Sequence, residues 1–300
     1  MTFNKPNSMV NVMKWALVLS GGGALGLAHL GVIKVLEREK LTPHMIVGTS
    51  MGAIIGALWA TGHSAVEMEE IALSFNISDY MEGITHKIPF DNSFIKFLQA
   101  EEALGTILSK RGVNNGIKVR NYLNELYEGK SFQETDIPFY CNAVDLLTGH
   151  EMIMNDGTLA DGVYASMAYP GFFEPLDRAE ELLCDGSVQN NFPVWIARQF
   201  GSRRVIGIDV GYYKRIASSD MDNGLSVILR SFQTACQTQR RTRKDKATVR
   251  LHLRSPRGNS FDFNDNSSLI RAGEEAAEKW LKTLKTAIYS PIIFPRTIET

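Results

Sequence analysis

A serine between glycines, Gly48-Thr49-Ser50-Met51-Gly52, is the stretch that most limits how this chain can fold. Residues 44–47 before it form a short apolar run suited to a buried strand, and residues 51–60 after it (MGAIIGALWA) are apolar all round, as a buried helix would be. Strand, serine and helix in that order describe a nucleophile elbow, a turn that strains the serine backbone and lifts its hydroxyl clear of the chain. The glycines on either side let neighbouring backbone pass closely.

A second strand-to-helix turn precedes it. Residues 15–19 read as a buried strand, and 20–26 (SGGGALG) turn it into a helix running to about residue 39. Gly21-x-Gly23-x-x-Gly26 formally matches a dinucleotide fingerprint. That site needs an acid near the end of the second strand to hold the ribose. Val47-Gly48-Thr49-Ser50 occupy that position, and Glu37 and Glu39 come too early. The other reading is an oxyanion hole, with the backbone N–H groups of Gly22 and Gly23 at a helix N-terminus facing a developing negative charge. Consecutive turns of a parallel sheet would bring this loop and Ser50 to one carboxyl edge.

Further along, the spacing predicts helices over 63–75, 117–127, 225–239 and 268–287. Strands are predicted over 138–146, with an antiparallel return at 151–154, and over 182–184 and 205–210. Residues 112–116 (GVNNG) read as a turn and 165–175 (ASMAYPGFFEP) as a structured loop. The region 84–115, with Phe90, Phe94, Ile95, Phe97 and Leu98, reads either as a lid or as ordinary core packing. Asp185 ends a strand and opens a glycine turn, where a carboxylate reaches a sheet edge; a plain turn-forming Asp-Gly is the competing reading. Asp209 is a competing carboxylate whose expected role is structural. A serine nucleophile needs a base. Of the six histidines only His252 offers the chain order serine, aspartate, histidine, and it lies in the strand-like run 249–253 rather than in a loop.

Three hundred residues with 44% hydrophobic and 22% charged side chains fit one globular domain, expected over 13–288 between tails at 1–12 and 289–300. A net charge of -1 gives no global attraction to nucleic acid or to anionic membranes. A local basic cluster, Arg240, Arg241, Arg243, Lys244, Lys246, Arg250, Arg254 and Arg257, reads as a solvated helix face or as a patch for anionic headgroups. Cys141, Cys184 and Cys236 are odd in number and far apart, which argues against a disulfide framework or a metal site. With only a short apolar run near the start, a cytoplasmic location is expected. Neither a cofactor nor a metal is called for.

Taken together, the GGGxxG loop at 21–26, the GxSxG elbow at 48–52, the SMAYPGFFEP loop and the DG turn at Asp185 resemble the patatin-like phospholipases, in their bacterial form related to neuropathy target esterase. The resemblance covers roughly residues 15–287. It implies a three-layer α/β/α fold with a mainly parallel sheet and a Ser/Asp dyad without histidine, carried onto Ser50 and Asp185. It also implies an oxyanion hole at Gly22 and Gly23. Two positions depart from the family pattern: Leu25 stands where a basic residue is usual, and Ser187 where Gly or Ala is common. The expected function is serine ester hydrolysis of acyl lipids or phospholipids, with peripheral membrane contact. An acyltransferase with the same elbow, a nucleotide-dependent oxidoreductase and an inactive regulatory protein are the other classes, and the sequence sets no oligomeric state.

Overall fold

A computed structural model of the chain describes residues 14–80, 105–106, 109–211, 218, 221, 224–242, 246–254, 263, 265–290 and 295–300. The expected tail at 1–12 and most of the 84–115 region, including its five large apolar residues, lie outside them.

The main sheet is built on strands that are apolar on both faces. Strand β1 (Trp15–Leu19) is buried throughout, and so is β2 (Met45–Gly48). Their side chains alternate between two cores: Trp15, Leu17, Leu19 and Ile46 enter one, Ala16, Val18, Met45 and Val47 the other. A strand buried on both faces needs helices on both sides. The first core is covered by α1 (Ala28–Arg38), α2 (Met51–Ala60), α3 (Ala65–Ser74), α4 (Ile117–Leu126), α5 (Leu159–Met167) and the long closing helix (Asn266–Tyr289). The second core is covered by α6 (Val194–Gln199). Helix α7 is Gly224–Thr242, and the closing helix is therefore α8. The architecture is a three-layer α/β/α sandwich.

The strands after β2 are β3 (Gly112–Asn114), β4 (Phe139–Asp145), β5 (His150–Met154), β6 (Gly171–Phe173), β7 (Leu176–Arg178), β8 (Glu181–Asp185), β9 (Arg204–Asp209), β10 (Val249–His252) and β11 (Arg296–Glu299). The sheet order is β11-β10-β9-β1-β2-β4-β8-β7, with β5 paired to β4. All pairs from β11 to β4 are parallel, and β5, β8 and β7 join antiparallel. The sheet is mixed, with its parallel part at the centre.

One register determines where the site forms. Gly48 at the end of β2 lies opposite Cys141 of β4, and Asp185 at the end of β8 lies opposite Ala143. Strand β5 pairs with both Cys141 and Ala143 from the other side. Strands β2 and β8 therefore share one edge of β4 and run toward each other. At a rise of about 3.3 Å per residue they stop roughly 7 Å apart.

Three expectations are corrected. Residues 289–300 are not simply a tail: Arg296–Glu299 pairs in parallel with β10. Only Ile298 of that strand is buried, so apolar patterning gave no signal; the open edge of β10 supplies the backbone partners. Residues 112–116 are not all turn, because Gly112 and Asn114 pair with Gly171 and Phe173 of β6. Within 165–175, the first three residues are the last turn of α5 rather than loop.

Candidate active site

Ser50 sits between β2 and α2 with φ 53° and ψ −123°, a left-handed backbone that a side chain adopts only under strain. The glycines around it make the turn sterically open. A Cβ on Gly48 would lie 2.5 Å from the Ala53 Cα, and one on Gly52 would lie 2.6 Å from the Ser20 carbonyl oxygen. Helix α2 can thus fold back onto the ends of β1 and β2. The Ser50 N–H donates to the Ser166 Oγ at 3.1 Å.

Leu19 is in register with Gly48, so the glycine loop leaves β1 directly beside the elbow. Gly23 has φ 57°, which favours glycine, and opens a short 3-10 turn (Gly23–Leu27) that leads into α1. The Gly21 N–H donates to the Asn191 carbonyl at 3.3 Å. Among the described residues, no acceptor takes the N–H of Gly22 or Gly23. Below the loop, the buried His29 Nε2 lies 2.7 Å from the Ser20 carbonyl, and burial lowers its pKa to about 4, leaving the ring neutral at pH 7.

Asp185 is 2% exposed. Burial pushes its carboxyl up from 3.8 to about 6, against the opposite pull of Ser187, through its N–H and its hydroxyl, and of the nearby Ser50 hydroxyl. The Ser187 N–H bond measures 2.8 Å. The Asp185 N–H donates to the Ala168 carbonyl at 3.0 Å. The α5 end therefore holds both chain segments: Ser166 takes the elbow and Ala168 takes the carboxylate turn.

Beneath them Asn142 on β4 is fully buried. Its Oδ1 accepts from Thr49 Oγ1 at 2.6 Å, and its Nδ2 donates to Glu151 Oε1 at 2.9 Å and to the Asn190 carbonyl at 2.8 Å. Glu151 Oε1 also accepts from Asn190 Nδ2 at 3.0 Å and Trp195 Nε1 at 3.1 Å. A Cβ on Gly186 would run into Asn142 at 2.5 Å. The residue before Ser50 and the residue after Asp185 thus rest on one side chain.

The structure gives the other candidates different places. Asp209 is fully buried, accepts from the Arg250 guanidinium and lies 3.2 Å from His252 Nδ1. Arg254 pairs with Glu299. Two cations of the basic cluster are therefore engaged by carboxylates of the fold. Of the five described histidines, none has a recorded hydrogen bond to Ser50. Leu25 is 3% exposed and packs in the first core, so the apolar residue at this position is accommodated by burial. Ser166, Asn142 and Asn191 were not singled out by sequence pattern. Ser166 at least lies in the SMAYPGFFEP stretch, which marked that segment as special.

A strained serine at a strand-to-helix turn, an adjacent glycine loop and a buried carboxylate thus gather at one end of the sheet. The patatin-like phospholipase family model matches residues 17–198, and the chain belongs to that family. It is 30% identical over 213 residues to the human (Homo sapiens) patatin-like phospholipase domain-containing protein 6, covering 70% of this chain and 14% of that protein. It is 28% identical over 204 residues to lysophospholipase NTE1 of Mycosarcoma maydis, covering 66% of this chain and 10% of the relative. The chain thus spans only a small part of the length of these relatives. Among solved structures, VipD from Legionella pneumophila aligns over 91% of this chain and 67% of its own, with a TM-score of 0.48 and 13% identity.

Proposed function

We propose that this chain is a serine ester hydrolase acting on acyl lipids, of the phospholipase A or lysophospholipase type, working through a Ser50/Asp185 dyad. The observation that carries this reading is the convergence of β2 and β8 on one edge of β4, which supports a pairing of Ser50 with the buried Asp185 carboxylate. Family membership and the lysophospholipase name of one relative support the substrate class.

In this mechanism Asp185 accepts the Ser50 proton as Oγ attacks the acyl carbonyl. The N–H groups of Gly22 and Gly23 receive the oxyanion. The proton then passes from Asp185 to the leaving alcohol as the acyl–oxygen bond breaks and the acyl-enzyme forms. Water attacks next, gives its proton to Asp185, and the fatty acid leaves as Ser50 Oγ regains a proton. A raised Asp185 pKa strengthens the carboxylate as a base, and the strained elbow holds Oγ in place. An ester, with its better leaving group, suits this weak base more than an amide.

Among the described residues no helix is long and apolar enough to cross a membrane. Apart from Arg250 and Arg254, which Asp209 and Glu299 engage, the basic cluster supports peripheral contact with an anionic lipid surface, at about 1 kcal/mol per residue near the surface.

The test is fluorophosphonate labelling, together with fatty-acid release from lysophospholipid, by wild type, Ser50→Ala and Asp185→Asn. Labelling confined to chains with Ser50, and loss of hydrolysis in both variants, are expected. Hydrolysis by Ser50→Ala at the wild-type rate would refute the reading.

A further inference from the structure

We propose that Asn191 is a positioning residue of this site, a clasp that sets the glycine loop against Ser50 and aims the Gly22 and Gly23 N–H groups. The inference rests on the oxyanion-hole reading above and adds a residue to it. Asn191 follows Asp185 by a short strap, closed by the Asn190 N–H donating to the Gly186 carbonyl at 2.8 Å. The strap carries Asn191 from β8 across to the end of β1. There Asn191 grips Gly21 at both backbone polar groups: its Nδ2 donates to the Gly21 carbonyl at 3.0 Å, and its carbonyl accepts the Gly21 N–H at 3.3 Å. The Gly21 carbonyl and the Gly22 N–H belong to one peptide plane, so holding that carbonyl sets the Gly22 N–H directly and the Gly23 N–H through the next peptide.

The other end of the amide lies against the Gly21 Cα. A Cβ on Gly21 would meet Asn191 Oδ1, with Ser50 Cβ at 3.0 Å and the Thr49 carbonyl oxygen at 3.3 Å. The Gly21 Cα is therefore packed between the Asn191 amide and the elbow. Asn191 Oδ1 is buried and has no hydrogen-bond partner among the described residues. Turning the amide over would set that oxygen against the Gly21 carbonyl, acceptor to acceptor, so the Gly21 bond dictates the orientation. A buried acceptor without a partner is a cost to folding. That cost sets Asn191 apart from a residue serving stability alone.

The experiment compares wild type with Asn191→Ala and Asn191→Asp by steady-state hydrolysis of a p-nitrophenyl ester, by thermal unfolding, and by affinity for an alkyl boronic acid, which forms a tetrahedral anion on Ser50. A misaimed oxyanion hole lowers kcat by about 10- to 100-fold. KM should stay within about threefold, and boronate affinity should fall by the same factor as kcat/KM, while the unfolding temperature of Asn191→Ala changes little. Asn191→Asp keeps the shape, loses the Nδ2 donor and sets a negative charge by the developing oxyanion, so it should be slower than Asn191→Ala. Wild-type kcat in both variants overturns the proposal. So does a loss confined to KM, or one that follows the unfolded fraction with boronate affinity intact. A wild-type protein that fluorophosphonate does not label at Ser50 is a separate result; it overturns the parent reading and this inference with it.

Discussion

Replacing Asp185 with asparagine should abolish hydrolysis and yet make the protein more stable at neutral pH. The carboxyl is buried and its pKa in the fold is about 6, against 3.8 for an ordinary aspartate. Between those two values the folded chain binds more protons at this position than the unfolded chain does. Stability contributed by the neutral acid is thus fully present below pH 3.8 and is lost as pH rises through 6. At 1.36 kcal/mol per pH unit, the interval corresponds to roughly 3 kcal/mol. Asparagine can still accept from the Ser187 N–H and carries no charge. Groups that titrate alike in both proteins cancel in the difference. Urea denaturation of wild type and Asp185→Asn from pH 3.5 to 7.5 should show the variant's relative stability rising by about 3 kcal/mol, mostly between pH 4 and 6. Over the same range wild-type fluorophosphonate labelling should rise with an apparent pKa near 6. A stability gap that stays flat with pH, or narrows as pH rises, would refute the reasoning.

Gly52→Ala should lose at least about 2 kcal/mol in denaturant titration, because its Cβ would press on the carbonyls of Leu19 and Ser20. Asn142→Leu strips hydrogen bonds from Thr49, Glu151 and the Asn190 carbonyl; a loss of about 2–4 kcal/mol is expected by the same measurement, with slower labelling of Ser50. His252→Ala removes one of the contacts on Asp209 and should leave fatty-acid release within about twofold of wild type, whereas loss of activity would return histidine to the mechanism.

The parallel core was legible because β1, β2 and β9 are short apolar runs, each meeting a turn signal. Ser50 was marked by a local pattern, the end of such a run with a glycine two residues to either side, whereas Asp185 offered only a strand end and an Asp-Gly turn, and its proposed role came from the family resemblance. What supports them was not legible. Thr49 reaches Asn142 across 93 positions, Ser50 reaches Ser166 across 116, and Gly21 reaches Asn191 across 170. Polar residues of this kind carry no periodicity, and their role exists only once the sheet has brought them together. Strand β11 escaped for a different reason, since a segment with one buried side chain offers no pattern to read.

The head-on meeting of β2 and β8 along β4 acts as a gauge for the chemistry. Two oxygens bridged by an imidazole and its two hydrogen bonds need a span of about 8 Å, and the strand ends leave roughly 7 Å between backbones that still project their own side chains into the gap. Direct proton transfer suits that width. Withdrawing β8 by two residues would open the gap to roughly 13 Å, enough to seat an intervening ring. For the proposed dyad, the length of β8 thus sets how much room lies between the elbow and the carboxylate turn.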